Sequence, residues 1–173
     1  MESSQRGSIG VALVLIGIGI LFLVINLTPG LDFGDIWPII FFLIALGFCL
    51  PLLIWPAERR GLAGLLVPAS IMFVLGAIFL YCSLTDDWGI WAYAWTLIPA
   101  SVGLGLALAA RVGGWGRDTL RVGVWLMVGS LAALAAFGAL LGGPAMQTIG
   151  SLMLIAAGVI LLFLTWRRPS STA

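Results

Sequence analysis

Long apolar stretches alternate with short polar segments along almost the whole chain. A helix needs about 20 apolar residues to cross a bilayer core of roughly 30 Å, and six stretches reach that length: 8–27, 36–55, 62–83, 91–110, 122–141 and 145–166. Turn residues separate them, as in Thr28-Pro29-Gly30 and Gly142-Gly143-Pro144. The pattern predicts an all-α polytopic membrane protein. Its six transmembrane helices would form three helical hairpins, at about 8–55, 62–110 and 122–166, in a single membrane domain over residues 1–173.

The composition supports this class and excludes several others. Of the 173 residues, 62% are hydrophobic and 9% are charged, against roughly 45–50% and about 25% in soluble domains. This excludes a DNA-binding protein, a disulfide-rich secreted scaffold and a disordered regulator, so we expect no nucleic-acid partner. The chain has no His, and all eight basic residues are Arg, which excludes His-dependent catalysis and Schiff-base chemistry. We expect no cofactor, no metal site and no enzymatic activity.

The charges divide between the two sides of the predicted bundle. Every Arg lies on the side of both termini, and the other side carries Asp32, Asp35, Asp86 and Asp87. Because positively charged loops stay in the cytoplasm, the sequence predicts a multi-pass protein of the bacterial inner (plasma) membrane with both termini cytoplasmic. The four Asp residues could gather a divalent cation, although acidic loops also simply keep that side solvated.

Two sets of residues are expected to meet the lipid headgroups. Indole rings prefer the membrane–water boundary, which predicts interfacial anchors at Trp37, Trp55, Trp88, Trp91, Trp95, Trp115 and Trp166. Arginines near a cytoplasmic surface attract anionic lipids, and the candidates are Arg59, Arg60, Arg111, Arg117 and Arg121. Membrane lipids are therefore expected partners.

Small residues recur at four-residue spacing in the second half of the chain. Such faces let helices approach closely and pack by van der Waals contact. The candidates for helix or partner packing are Gly103, Gly105, Ala107, Gly129, Ala133, Gly138 and Gly142. They would either close the bundle on itself or bind another membrane protein or a second copy of the chain. Ser70 and Ser101 each follow a proline by two residues, and we expect their hydroxyls to bond the carbonyls that the prolines leave free.

The first two predicted hairpins resemble each other. Trp37 recurs as Trp95 after 58 residues, and Gly47, ten residues beyond the first, recurs as Gly105. The third hairpin keeps only a weak trace, with Thr148 where the tryptophan would stand. The chain is therefore predicted to contain a parallel repeat of helical hairpins.

The first hairpin also carries a family resemblance. Its motifs are Arg6-Gly7-Ser8, Asn26-Leu27, Leu31-Asp32-Phe33-Gly34, Trp37-Pro38 and Gly47. Over residues 6–50, and more loosely over 60–110, the chain resembles the transmembrane region of the bacterial LiaI/LiaF-like envelope-stress proteins. The three-hairpin layout is similar to that of the HdeD-like acid-resistance membrane proteins. The resemblance implies a small membrane-embedded modulator, and some members of the family act on a neighbouring sensor kinase.

The positions of the charges limit the function further. None lies in the middle of a predicted span, where ionisable residues mark ion paths and proton relays. We therefore expect a non-enzymatic accessory or structural subunit, or a regulatory module of the envelope-stress type, that acts through helix–helix contacts. The Pro-interrupted helices, with Pro51, Pro68 and Pro99, leave open an alternative, a transporter or channel for a small neutral or lipidic solute.

Overall fold

The computed structural model describes residues 33–166 continuously, together with residues 8, 12, 15–20, 22, 23, 26 and 27. At 33, 35, 161 and 164–166 it describes the backbone alone. The described residues are helical with turns and short connections and contain no β-strand, which confirms the all-α class. Eight of the twenty residues of the first predicted span, 8–27, lie outside the described residues, as do Arg6, Asp32, Arg167 and Arg168.

Long helices occupy the predicted apolar stretches that the structure describes, with ends shifted by a few residues. They are α1 (Ile39–Ile54), α2 (Leu66–Thr85), α3 (Leu97–Val112), α4 (Arg117–Leu141) and α5 (Pro144–Trp166). Prolines and glycines set the boundaries. Gly114 and Gly116 have positive φ angles of 65° and 98° between α3 and α4, a conformation that favours glycine. Pro144 occupies the first turn of α5, where its missing N–H costs no helical hydrogen bond.

A break in the helix occurs twice, at equivalent places. The short helix Phe33–Ile36 is followed by a turn at 37–38 and then by α1. The short helix Trp91–Ala94 is followed by a turn at 95–96 and then by α3. All these boundaries recur after 58 residues, the spacing of Trp37 and Trp95. In the third predicted hairpin α5 runs unbroken from Pro144, so this feature belongs to the first two.

The long helices pack as a row in chain order. α1 packs on α2, α2 on α3, α3 on α4 and α4 on α5. At one end of the row the Trp115 indole Nε1 donates a hydrogen bond of 2.8 Å to the Arg60 carbonyl, which joins the two arginine-bearing connections. At the other end Ser83 Oγ donates to the Gly34 carbonyl at 3.2 Å. The described arginine-rich loops therefore lie at one end of the row, and Asp86 and Asp87 at the other.

The described helices include fewer full-length membrane spans than the sequence predicts. Two continuous helices are long and apolar enough to cross a membrane, Pro56–Thr85 and Arg117–Leu141. Trp88–Ala94 and Leu97–Val112 make a third if the pair, bent by 58°, is one span. Ile39–Ile54 is apolar but shorter, and Pro144–Ile160 is the apolar part of α5 that precedes the first residue described by its backbone alone. The turns at 37–38 and 95–96 explain the difference within the first two hairpins, because they shorten α1 and bend the helix that leads into α3.

Candidate functional site

Glycine and alanine bring α3 very close to α4. A Cβ added at Gly103 would lie 2.5 Å from the Gly123 carbonyl oxygen and 2.8 Å from Met127 Cγ. A Cβ at Gly123 would lie 2.9 Å from the Ala107 nitrogen. Carbon atoms in contact normally keep about 3.5–4.0 Å, so this crossing requires glycine on both helices. The predicted packing residues Gly103 and Ala107 thus form an internal contact.

Gly105 makes the equivalent close contact on the other side of α3. A Cβ there would lie 2.5 Å from Val67 Cα and 2.6 Å from Ser70 Oγ on α2. The buried Ser70 hydroxyl lies within hydrogen-bond distance of two carbonyl oxygens, that of Ser101 at 2.7 Å and that of Val67 at 2.8 Å. The Ser101 hydroxyl in turn donates to the Ile98 carbonyl at 2.6 Å. The two serines therefore link α2 to α3 while their own polar atoms are satisfied.

These bonds differ from the ones that the sequence predicts. A proline has no N–H to donate to the carbonyl four residues earlier. Pro68 therefore leaves the Gly64 carbonyl free, and Pro99 leaves the Trp95 carbonyl free. The serine hydroxyls instead bond the carbonyls immediately before each proline, so that expectation was wrong. The Trp95 carbonyl accepts from the Ile98 N–H at 3.0 Å, in a tighter turn at the bend.

Gly138 and Gly142 pack against the start of α5. A Cβ at Gly138 would lie 2.7 Å from Met146 Cε, and one at Gly142 would lie 2.7 Å from Met146 Cβ. Further along α5, a Cβ at Gly150 would lie 2.5 Å from the Ala135 carbonyl oxygen. The sequence analysis missed Gly150 because its neighbours four residues away are Met146 and Leu154, so no small-residue spacing marks it.

Gly129 and Ala133 differ from the other candidates because they line an open groove on α4. Among the described residues outside the adjoining turns of α4, no atom lies within 4 Å of a Cβ built on Gly129. The groove has a volume of about 200 Å³, and Trp95, Pro99 and Trp125 also line it. Trp125 is 74% exposed and Trp95 is 45% exposed. Of the predicted packing positions, these two therefore face the outside of the helix row.

The five predicted lipid-headgroup arginines are all exposed. Arg59 Nε donates to the Leu52 carbonyl at 3.3 Å, which holds its guanidinium over the end of α1. Arg121 forms a surface ion pair of 3.1 Å with Asp118, a type of pair that contributes about 0–1 kcal/mol. Arg60, Arg111 and Arg117 lie in or beside the same two connections. The structure thus gathers these cations at one end, and their lipid role stays a prediction.

The predicted tryptophan anchors have several kinds of surroundings. Around Phe79, the ring centroids of Trp37, Trp91 and Trp88 lie at 5.2, 5.4 and 6.4 Å. Trp95 packs against Phe137 at 5.6 Å. Trp115 bonds the Arg60 carbonyl as described, Trp55 follows the end of α1, and Trp166 is the last residue of α5. Three of these rings therefore form one aromatic cluster at the acidic end.

In the part of the chain that the structure describes, the acidic residues and cysteines form neither a metal site nor a disulfide. There, no three His, Cys, Asp or Glu residues are close enough to hold a metal ion. Cys49 and Cys82 are both free thiols. Thr96, which the sequence analysis did not single out, is 1% exposed, and its hydroxyl donates to the Tyr93 carbonyl at 2.7 Å beside the bend.

Comparison with known proteins adds no relative to this description. No protein-family model, curated protein or solved structure matches the chain. The features of the molecule that bear on its function are the small-residue faces, the open groove on α4 and the separation of charge.

Proposed function

We propose that the chain is a non-enzymatic, multi-pass protein of the bacterial inner membrane, with the arginine-bearing end and both termini in the cytoplasm. Its six helices form three hairpins. It acts as an accessory or structural subunit, or as a regulatory module of the envelope-stress type, through helix–helix contacts in the bilayer. The recurrence of helix boundaries after 58 residues supports a common origin of the first two hairpins, and the resemblance to LiaI/LiaF-like proteins supports the regulatory form.

The observation that carries this proposal is the uncovered small-residue face of α4. Five of the seven candidate packing residues make contacts between helices of the chain: Gly103, Gly105, Ala107, Gly138 and Gly142. The other two, Gly129 and Ala133, line the open groove. Small residues exposed on a membrane helix allow another helix to approach its backbone. Trp95 and Trp125 flank this face with large rings. The groove therefore suits one helix of another membrane protein, or the same groove of a second copy.

The last helix leaves further apolar surface uncovered. α5 packs mainly on α4, and every side chain from Ser151 to Ile160 is exposed. In a bilayer this surface meets lipid or a neighbouring chain, because lipid tails are as apolar as these side chains. It places a second possible contact surface beside the α4 groove.

The test is the mass of the intact assembly, extracted from native membranes in mild detergent. We expect a stoichiometric complex with another membrane protein or a second copy. Gly129→Trp fills the groove and should release the partner. Leu131→Trp is the matched control, because Leu131 is also exposed on α4. A helix turns about 100° per residue, so Leu131 points about 160° away from Gly129. A wild-type chain that is a monomer, or an assembly that Gly129→Trp leaves intact, would contradict the proposal.

The alternative is a transporter or channel for a small neutral or lipidic solute. The observation that favours a lipidic solute is the character of two larger cavities, with volumes of about 460 and 420 Å³, which are lined almost entirely by apolar side chains. Transport would require flux by the purified chain alone in liposomes. A subunit or modulator would show none, and its activity would depend on its partner.

A further inference from the structure

A second groove lies on the opposite part of the helix row, over α2. Because α1 and α3 both pack on α2, they leave a trench between them with a volume of about 460 Å³, within the roughly 300–1,000 Å³ typical of ligand sites. Leu66, Ala69, Ser70 and Phe73 of α2 form its floor. From Leu66 to Phe73 the helix rises about 10 Å, so the trench is an elongated channel along the helices.

The trench is apolar along this length. The walls include Leu46 and Cys49 of α1 and Leu104 and Leu108 of α3. Among the described residues of the lining, the one hydroxyl is that of Ser70, and its single proton lies between the Ser101 and Val67 carbonyl oxygens, both within hydrogen-bond distance. The trench therefore offers no free hydrogen-bond donor from that hydroxyl, and its chemistry matches a hydrocarbon chain.

The two ends of the trench differ in polarity. At one end Phe42 and Phe73 form an edge-to-face pair with ring centroids 5.1 Å apart. At the other end, one face of α3 carries three residues at spacings of four and three: Leu104, Leu108 and Arg111. Arg59 comes from the α2 side and is held over the end of α1 by its bond to the Leu52 carbonyl. Arg111 thus lies about one helical turn beyond Leu108, and Arg59 is bonded to a residue about one turn beyond Cys49, the last lining residues of α3 and α1.

We infer that this trench binds one acyl chain of an anionic phospholipid, with Arg59 and Arg111 binding the headgroup phosphate. The choice of occupant follows from charge complementarity: the site has hydrocarbon contacts along its length and cations at one end, which is the polarity of a lipid. A neutral lipid offers the arginines no anion, and the phosphate of a zwitterionic lipid is already balanced by the lipid's own ammonium group. The inference rests on the proposed membrane setting, and it needs no protein partner.

The test uses the full chain in mild detergent and titrates phosphatidylglycerol, with bound lipid counted by native mass spectrometry. We expect one tightly held phosphatidylglycerol per chain. Removing both headgroup arginines, as Arg59→Gln with Arg111→Gln, should weaken binding about 30-fold. The comparison pair, Arg117→Gln with Arg121→Gln, removes the same charge from the same end. It should weaken the general attraction of anionic lipid, but it should weaken the one tightly held phosphatidylglycerol much less than the Arg59 and Arg111 pair does.

Two further measurements locate the acyl chain. Leu104→Trp fills the trench and should abolish tight binding, whereas Leu134→Trp, in the other large apolar cavity, should not. In the unmodified chain, phosphatidylglycerol with a photoreactive acyl terminus should label the peptides that contain Phe42 and Phe73, at the end of the trench away from the arginines. This second measurement does not depend on the folding of a variant.

Several results would overturn the inference. One is photolabelling that is spread evenly over all helices. Another is an equal loss of phosphatidylglycerol affinity in both arginine double variants. A third is a folded Leu104→Trp variant that binds phosphatidylglycerol as tightly as the unmodified chain. Equally tight binding of phosphatidylcholine would remove the role of the lipid's net negative charge, and equally tight binding of a free fatty acid would remove the role of the phosphate. If instead the chain has no protein partner but binds phosphatidylglycerol as described, the proposed function fails and the lipid site stands.

Discussion

Gly105 is a position where one added methyl group should push two helices of the row apart. Its Cβ would lie 2.5 Å from Val67 Cα, so α2 and α3 must separate by about 1 Å to restore normal contact. We take the overpacking at about 2 kcal/mol and the loss of the Ser70–Ser101 bond at about 0.6 kcal/mol. The better helix propensity of alanine offsets up to about 1 kcal/mol. Gly105→Ala should therefore lower the free energy of unfolding by about 1.5 kcal/mol.

The matched control is Gly129→Ala, an identical substitution at a helical glycine with no atom within 4 Å of the new Cβ. It should gain up to about 1 kcal/mol from helix propensity, so the two variants should differ by about 2.5 kcal/mol. The assay is reversible unfolding in mixed micelles with a rising fraction of dodecyl sulfate, followed by far-UV circular dichroism. If Gly105→Ala is as stable as Gly129→Ala, the close packing of α2 on α3 described here is refuted.

Two further predictions concern single hydrogen bonds. Trp115→Phe removes the 2.8 Å bond to the Arg60 carbonyl. We expect faster amide hydrogen exchange in the connection that contains Arg60 and a loss of at most about 1 kcal/mol in the free energy of unfolding. Unchanged exchange would contradict the contact between the Arg60 and Trp115 connections. Thr96→Val removes a 2.7 Å bond to the Tyr93 carbonyl at a buried position and should cost about 1 kcal/mol in the same unfolding assay. Thr85→Val removes an equally short bond at an exposed position and should cost less, and equal losses would argue against a buried bend.

Much of the helical layout follows from the sequence, and the breaks show where that reasoning ends. The apolar stretches and the 58-residue spacing of Trp37 and Trp95 predict helices and their recurrence. The bend before α3 was not predicted, although Pro99 marks its cause. The same pattern before Pro68 gives only the tighter turn Ala63–Leu65 within a continuous helix, because neighbouring helices determine how the chain accommodates a lost hydrogen bond.

The small-residue faces show the same limit for the candidate site. Gly103 and Gly129 have the same sequence signature, a glycine four residues before an alanine, yet one is packed against Gly123 and the other is open. Spacing indicates which residues permit close approach, but it does not indicate which helix approaches. Both α3 and α4 have two neighbours in the row, but Gly103 lies on the side of α3 that packs on α4, whereas Gly129 lies on an open side of α4.

The central claim is that the open face of α4 binds another helix, and site-directed photo-crosslinking in intact cells tests it most directly. A photoreactive amino acid at position 129 reports on that face, and the same group at position 131 reports on a face about 160° away. We expect a single discrete protein adduct from position 129, either a defined membrane protein or a second copy, and none of that mass from position 131. Lipid adducts alone at position 129, or the same protein adduct from both positions, would contradict the account.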